Sequence, residues 1–207
     1  VLDDPLHSFR RGIRHLMLRL TVDNTDEYPF PRKGQKHYFR IGGAHDAWGG
    51  TERFVKLDGS LSGFFTVGSK HTLGPRFQFC WASNRLPDVE RIFLGGALPQ
   101  EKYQDMEVYN YISFAGLSSR AWPGDVAFLF ELSYRYLLRK NTHLYATLDW
   151  GYAWLYDEFE ISQEIARQFA LDAPVGLGIG IAFNTLIGPI RLAWGRILND
   201  DGLPKRL

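Results

Sequence analysis

One cysteine, Cys80, occurs in 207 residues, which excludes an internal disulfide and leaves no metal cluster of the paired-cysteine kind. Charge of one sign is lacking too. The 24 Lys and Arg residues nearly balance the 23 Asp and Glu residues, and no basic run interleaved with aromatics is present, so a nucleic-acid partner is not expected. No stretch approaches the roughly 18 apolar residues of a membrane-spanning helix, and the mean hydropathy of -0.22 would suit a soluble protein. From Val1 onward there is no charged, apolar and small-residue succession of a signal segment. Either a signal has been removed or the chain is an internal piece of a longer one.

What is present is alternation. Val175, Leu177, Ile179, Ile181 and Phe183 alternate with Gly176, Gly178, Gly180, Ala182 and Asn184. Side chains of a strand point to opposite faces with period two, so one face here is large and apolar and the other almost bare, as when one side meets lipid. Seven further segments read the same way. They are about 14–23 (Leu16, Leu18, Leu20 and Val22 on one face), 35–45, 53–67, 71–82, a fifth through Phe128–Tyr136, a sixth through Leu144–Trp154, and a last through Ile190, Leu192 and Trp194. The better defined of these suffice to cross a bilayer at a tilt, which takes about 9 to 11 residues. With inward polar residues averaging against outward apolar ones, neutral hydropathy is what a barrel should show.

Connections alternate in length as well. Those over 68–70, 139–142 and 185–188 are tight, those over 44–52, 83–124 and 157–174 are longer, and 24–34 is of medium length on the tight side by parity. Transmembrane barrels place short turns on the periplasmic side and long loops outside. The 83–124 loop is too long for a mere connector and is expected outside or folded into the lumen. In 158–172, Ile161, Ile165 and Phe169 recur at four-residue spacing and suggest a short helical turn. A soluble β-sandwich or lipocalin also alternates with period two. Strand length, loop parity and aromatics near strand ends (Tyr38, Trp81, Tyr136, Trp154) favour the membrane reading.

Candidate chemistry is thin. Gly59-Ser60-Leu61-Ser62-Gly63 spells the G-x-S-x-G of a nucleophile elbow. An elbow needs a strand, a sharp turn and a helix, whereas Phe64 to Val67 simply continue the strand. The six histidines, at 7, 15, 37, 45, 71 and 143, lack carboxylates at metal-ligand spacing. Charges on the polar faces, chiefly Arg76, Glu131, Arg135, Asp149 and Arg191, with Arg19, Arg40 and Asp58, are expected to form a lumenal ion-pair network.

Four stretches, in order, resemble the bacterial surface antigen barrels, the group that includes the BamA and TamA assembly factors. They are Val22-Asp23-Asn24-Thr25-Asp26 with Phe30-Pro31-Arg32-Lys33-Gly34, then Phe93-Leu94-Gly95-Gly96, then Glu131 to Tyr136, and last Leu186-Ile187-Gly188-Pro189-Ile190-Arg191-Leu192. Asp23, Asp26, Pro31, Gly34, Gly95, Gly96, Gly188 and Pro189 would be the structural positions of the motif. Assembly factors carry a Val-Arg-Gly-Phe-like tetrapeptide after the Gly-Gly. This chain reads Ala97-Leu98-Pro99-Gln100 and later Tyr111-Ile112-Ser113-Phe114-Ala115-Gly116-Leu117, more like the barrel attached to bacterial patatin-like phospholipases. The resemblance implies an all-β, antiparallel transmembrane barrel of about eight strands over 1–207, the C-terminal half of a larger barrel of about sixteen. Lys205-Arg206-Leu207 stop where a final strand would begin. It implies a bacterial outer-membrane location, and a non-catalytic module that anchors or exports a patatin-like phospholipase domain. The alternative is a BamA/TamA-type barrel for protein insertion or translocation. Expected partners are outer-membrane lipid and the rest of the parent chain; self-association is left open, and no cofactor or metal is expected.

Overall fold

A computed structural model describes residues 13–96, 110–156, 173–186 and 188–199. The strands are β1 (His15–Asp23), β2 (Gly34–Ala44), β3 (Phe54–Val67), β4 (His71–Ala82), β5 (Ile92–Leu94), β6 (Tyr111–Ile112), β7 (Trp122–Gly124), β8 (Val126–Arg139), β9 (Thr142–Trp154), β10 (Val175–Thr185) and β11 (Gly188–Ile197). Eight form one antiparallel sheet in the order β1-β2-β3-β4-β8-β9-β10-β11. Among the described residues β1 and β11 do not pair, so the sheet is a partial barrel. An open edge at membrane depth needs pairing from elsewhere, because lipid offers backbone groups no partner.

Parity decides which residues face out. Leu18 lies opposite Ile41, Ile41 opposite Leu57, and Leu57 opposite Trp81. A second outward row runs Leu61, Phe77, Phe130, Trp150, Val175. These rows make a continuous apolar belt on which Leu18 is 70% and Leu192 64% exposed, far outside what water-facing strands carry and what a lipid-facing belt requires. The opposite face is polar. One row across the wall reads Asp23, Lys36, Ser62, Arg76, Glu131, Asp149, Gly176. Tyr38 belongs to this inner face, mid-strand between Thr21 and Ser60, so it is no part of an interfacial girdle: its even position in β2 turns it inward. Aromatic clustering is found instead at the long-loop end, where Phe128, Trp150 and Trp154 pack at 5.0 and 5.9 Å. At the short-turn end His71 packs against Tyr134 and Tyr136.

The loop between β4 and β8 holds three short strands that alternation does not reveal. β5 pairs parallel with β6 and antiparallel with β7. Their residues pack on the inner wall: Ile92, Leu94, Ile112, Phe114, Leu117 and Trp122 share one core with Cys80, Ala127, Leu129 and Ala153. Small wall residues leave room for large loop residues, which is how two layers interdigitate at interior density. The expected helical turn at 158–172 lies outside the described residues, as do Ala97 to Gln100 and Lys205 to Leu207.

Candidate lumenal docking site

The loop is fixed to the wall at both of its ends and at its tip. At the root, Asp125 is fully buried and its carboxylate accepts from the Leu86 N–H (3.1 Å), Arg91 Nε (3.2 Å) and the Tyr156 N–H (2.9 Å). One carboxylate thus ties three segments together, and charge-assisted bonds of this kind are among the stronger ones. Midway, the Lys56 ammonium, reaching inward from β3, donates to the Glu90 carbonyl (2.7 Å) and to Asn110 Oδ1 (2.5 Å).

The tip is Phe114-Ala115-Gly116. Gly116 turns it at a φ of 90°, and Gly95 and Gly96 lie alongside at φ values of 134° and 79°, all open to glycine at little cost. Phe114 then donates its N–H to the Gly96 carbonyl at 3.1 Å. The Ala115 N–H donates to Asp149 Oδ2 at 2.6 Å, anchoring the tip to β9. Beside it stands the bare face of β10. A Cβ added at Gly176 would run into the Ala115 carbonyl oxygen and stand 2.7 Å from Phe114 Cε1, and one at Gly195 would stand 2.6 Å from the Gly116 nitrogen. The glycine stripe is therefore a seat, and it lets loop backbone lie against wall backbone.

A second insertion comes from the short-turn side. Residues 24–33 between β1 and β2 fold inward so that Phe30 is buried against His143, with ring centroids 4.7 Å apart. Arg135 donates to the Pro31 carbonyl oxygen, and the Arg135 and Arg191 guanidinium groups lie 5.8 and 4.9 Å from the Phe30 ring centroid. Asp26 holds the turn by accepting the N–H groups of Arg32 (2.8 Å) and Lys33 (3.0 Å). Burial pushes its carboxyl up, but those backbone donors outweigh it and hold Asp26 below the ordinary carboxylate value. Between the two insertions remains a cavity of about 110 Å³ lined by Phe30, Arg76, Ala115, Glu131, Asp149 and Gly178, among others.

The expected charge network thus divides in two. Arg76 reaches Glu131 at 3.7 Å, next to Asp149 in the same row; Arg135 and Arg191 gather round Phe30. Asp149 Oδ1 has no hydrogen-bond partner among the described residues. A separate buried pair, Arg40 Nε to Asp58 Oδ2 at 2.7 Å, lies on the neighbouring wall. Of the motif positions, Asp23 accepts from Thr25 (3.1 Å from its N–H) and pairs with Lys36 at 3.2 Å, Gly34 opens β2, and Gly188 opens β11 with Pro189 opposite Asn184. Ser62 sits inside β3 opposite Lys36 and Arg76, with the strand unbroken through Val67. Phe30 and Phe114 enter sequence reasoning only within motif stretches, without a role of their own, and Asp125 does not enter it. They carry no periodic signal, because each acts from a loop.

The comparisons agree with this geometry. A family model described as the Omp85 superfamily domain matches residues 7–203. The chain belongs to the Omp85 superfamily. Among 57 matching chains of solved structures, the crystal structure of BamA from Haemophilus ducreyi lacking POTRA domains 1-3 superposes with a TM-score of 0.66 at 14% identity, over 89% of this chain and 39% of that one. At that identity the likeness speaks for the fold. The Omp85 chain described here therefore spans well under half of that neighbour's length, as a part-barrel should. No curated protein sequence matches. An Omp85 barrel resides in the bacterial outer membrane, and the apolar belt is its lipid-facing surface.

Proposed function

We propose that this Omp85 barrel wall serves the insertion of proteins into the outer membrane, or their translocation across it. The observation that carries the reading is the lumenal loop, seated by a tip of three residues on a glycine stripe and one carboxylate. Lifting this tip breaks the Ala115–Asp149 bond and parts Phe114 from Gly176, while the wall strands stay paired with one another. The fold likeness to BamA supports the same reading. Catalysis is not assigned to this wall. A second reading is favoured by one observation, the arginine-free tip Phe114-Ala115-Gly116-Leu117: the barrel would anchor or export a patatin-like lipid acyl hydrolase carried elsewhere on the parent chain.

The full-length protein reconstituted in liposomes separates the two. Insertion activity predicts that a urea-unfolded outer-membrane protein acquires its heat-modifiable folded form at least about tenfold faster than in empty liposomes. Catalysed folding of that size is about 1.4 kcal/mol of barrier. No acceleration, together with fatty-acid release from the liposome lipid, would refute it and favour the anchoring reading.

A further inference from the structure

Two neighbouring turns on the short-turn rim concentrate positive charge. Lys70 closes the β3–β4 turn, and Arg139 and Lys140 form the β8–β9 turn; all three are exposed. The turns are tied together by the Leu137 N–H donating to the Lys70 carbonyl at 2.8 Å. No acidic residue occurs between Asp58 and Asp88, or between Glu131 and Asp149, so neither turn carries a countercharge. Of the other two turns on this side, 185–188 carries no charge, and 24–33 contains Asp26 and Glu27, with the Asp26 carboxylate occupied by its own backbone. At the opposite rim, where the exposed Arg85 follows β4, two arginines are matched: Arg53 pairs with Asp46, and Arg91 with Asp88 (2.8 Å) and Asp125 (3.2 Å).

Directly beneath the cations, on the outward face, lie His71, Tyr134 and Tyr136. Tyr134 Oη and His71 Nδ1 are 2.7 Å apart, and Lys70 Nζ stands 5.9 Å from the Tyr136 ring centroid. Beyond them towards the belt come Leu73 and Leu132, both exposed. From rim to belt the order is therefore cation, polar aromatic, aliphatic. That is the order of phosphate, glycerol backbone and acyl chain in a phospholipid, and both the aromatic belt and surface Lys and Arg work at this depth.

We propose that the Lys70–Arg139–Lys140 rim is a binding site for the headgroup of an anionic phospholipid in the leaflet that the short turns meet. The phosphodiester would sit between the two turns, with the glycerol backbone at Tyr134 and His71. Each basic residue at a membrane surface contributes about a fivefold gain in affinity for anionic lipid. Three of them converging on one headgroup give a preference of about a hundredfold.

The test uses the full-length protein in neutral detergent with equimolar dioleoyl phosphatidylglycerol and dioleoyl phosphatidylcholine, the bound lipid being counted by native mass spectrometry. A roughly hundredfold excess of bound phosphatidylglycerol is expected, lost in the triple variant Lys70→Gln/Arg139→Gln/Lys140→Gln and kept in Arg53→Gln/Arg85→Gln at the other rim. Equal binding of the two lipids by the unaltered protein overturns the proposal without reference to any variant, as does a preference that survives the triple variant. Displacement of the lipid by millimolar inorganic phosphate would show a free-anion site and overturn it too. Heat-modifiable migration establishes that each variant is folded, and the single variants Lys70→Gln and Lys140→Gln, each expected to lose about fivefold, replace the triple one should it fail to fold.

Discussion

The seat of the lumenal tip can be tested by one methyl group. In Gly176→Ala the added Cβ meets the Ala115 carbonyl oxygen and the Phe114 ring. The wall side cannot yield easily, since Gly176 is paired with both Asp149 and Ile197 in the sheet. The tip must therefore lift. Lifting breaks the bond from the Ala115 N–H to the Asp149 carboxylate, worth about 1.5–3 kcal/mol, and uncovers part of Phe114, whose complete burial is worth about 1.5–3 kcal/mol. A net loss of about 3 kcal/mol raises the open population roughly a hundredfold. Trypsin reads that population at Arg120, which lies between the tip and β7 with its guanidinium 4.4 Å from the Phe93 ring centroid. Cleavage of a locally opening segment follows the open fraction when closing is fast. In membrane-embedded full-length protein, cleavage after Arg120 is expected to accelerate about a hundredfold in Gly176→Ala. Gly178→Ala should give less than tenfold, because its Cβ meets chiefly the Thr147 hydroxyl, a side chain able to rotate, and touches the tip only at the Ala115 Cβ, 3.2 Å away. An Arg120 cleavage rate within twofold of the parent, in a barrel still heat-modifiable, would refute the docking argument.

Other outcomes follow from the same wall. Phe130→Arg puts a charge in the outward belt, four residues along β8 from the interfacial Tyr134, and is expected to cost about 2–4 kcal/mol, the range for the bilayer midplane, measured by reversible unfolding from vesicles; a change under 1 kcal/mol would contradict the lipid-facing assignment. Removing one partner of the buried Arg40–Asp58 pair, as in Asp58→Leu, should cost about 3–5 kcal/mol, while Arg40→Met/Asp58→Leu together should cost much less, the comparison being a double-mutant cycle in urea. For Asp26 the folded value is depressed, so its contribution is present above the unfolded value of 3.8 and is lost as pH falls through the folded value. The stability gap between the parent and Asp26→Asn should therefore be constant near neutral pH and close below about pH 4; a gap unchanged down to pH 2 would show that the carboxylate is not what holds the turn.

The eight wall strands were legible because each is long and has lipid on one side and polar lumen on the other, so alternation survives averaging. Loop parity was legible for a related reason: it depends only on chain length between runs. β5, β6 and β7 were not, since strands of two or three residues packed between loop and wall have no solvent face to mark with polar residues. The glycine stripe of β10 could be read as bare, but what sits on it could not. That depends on Phe114 and Ala115, about 60 positions earlier, meeting it where the tip turns at Gly116. Arg135 and Arg191 show the same limit. Their inward direction follows from parity, whereas their gathering round Phe30 follows from the inward fold of the 24–33 turn, which no periodicity encodes.

Sheet order also has a kinetic side. β1 to β4 and β8 to β11 are each up-and-down meanders whose neighbours follow one another in the chain, but β4 and β8 are joined over residues 83–125. Closing that connection rather than a three-residue turn costs about 2 kcal/mol more in chain entropy. Two four-stranded halves are therefore expected to zip first and meet along the β4–β8 seam, with Asp125 and the small β6-β5-β7 sheet as the clasp that recovers the difference. In pulse-labelled hydrogen exchange, the amides joining β4 to β8 would be the last of the wall to gain protection. The loop that closes the lumen is, in time, also the suture that makes one wall out of two.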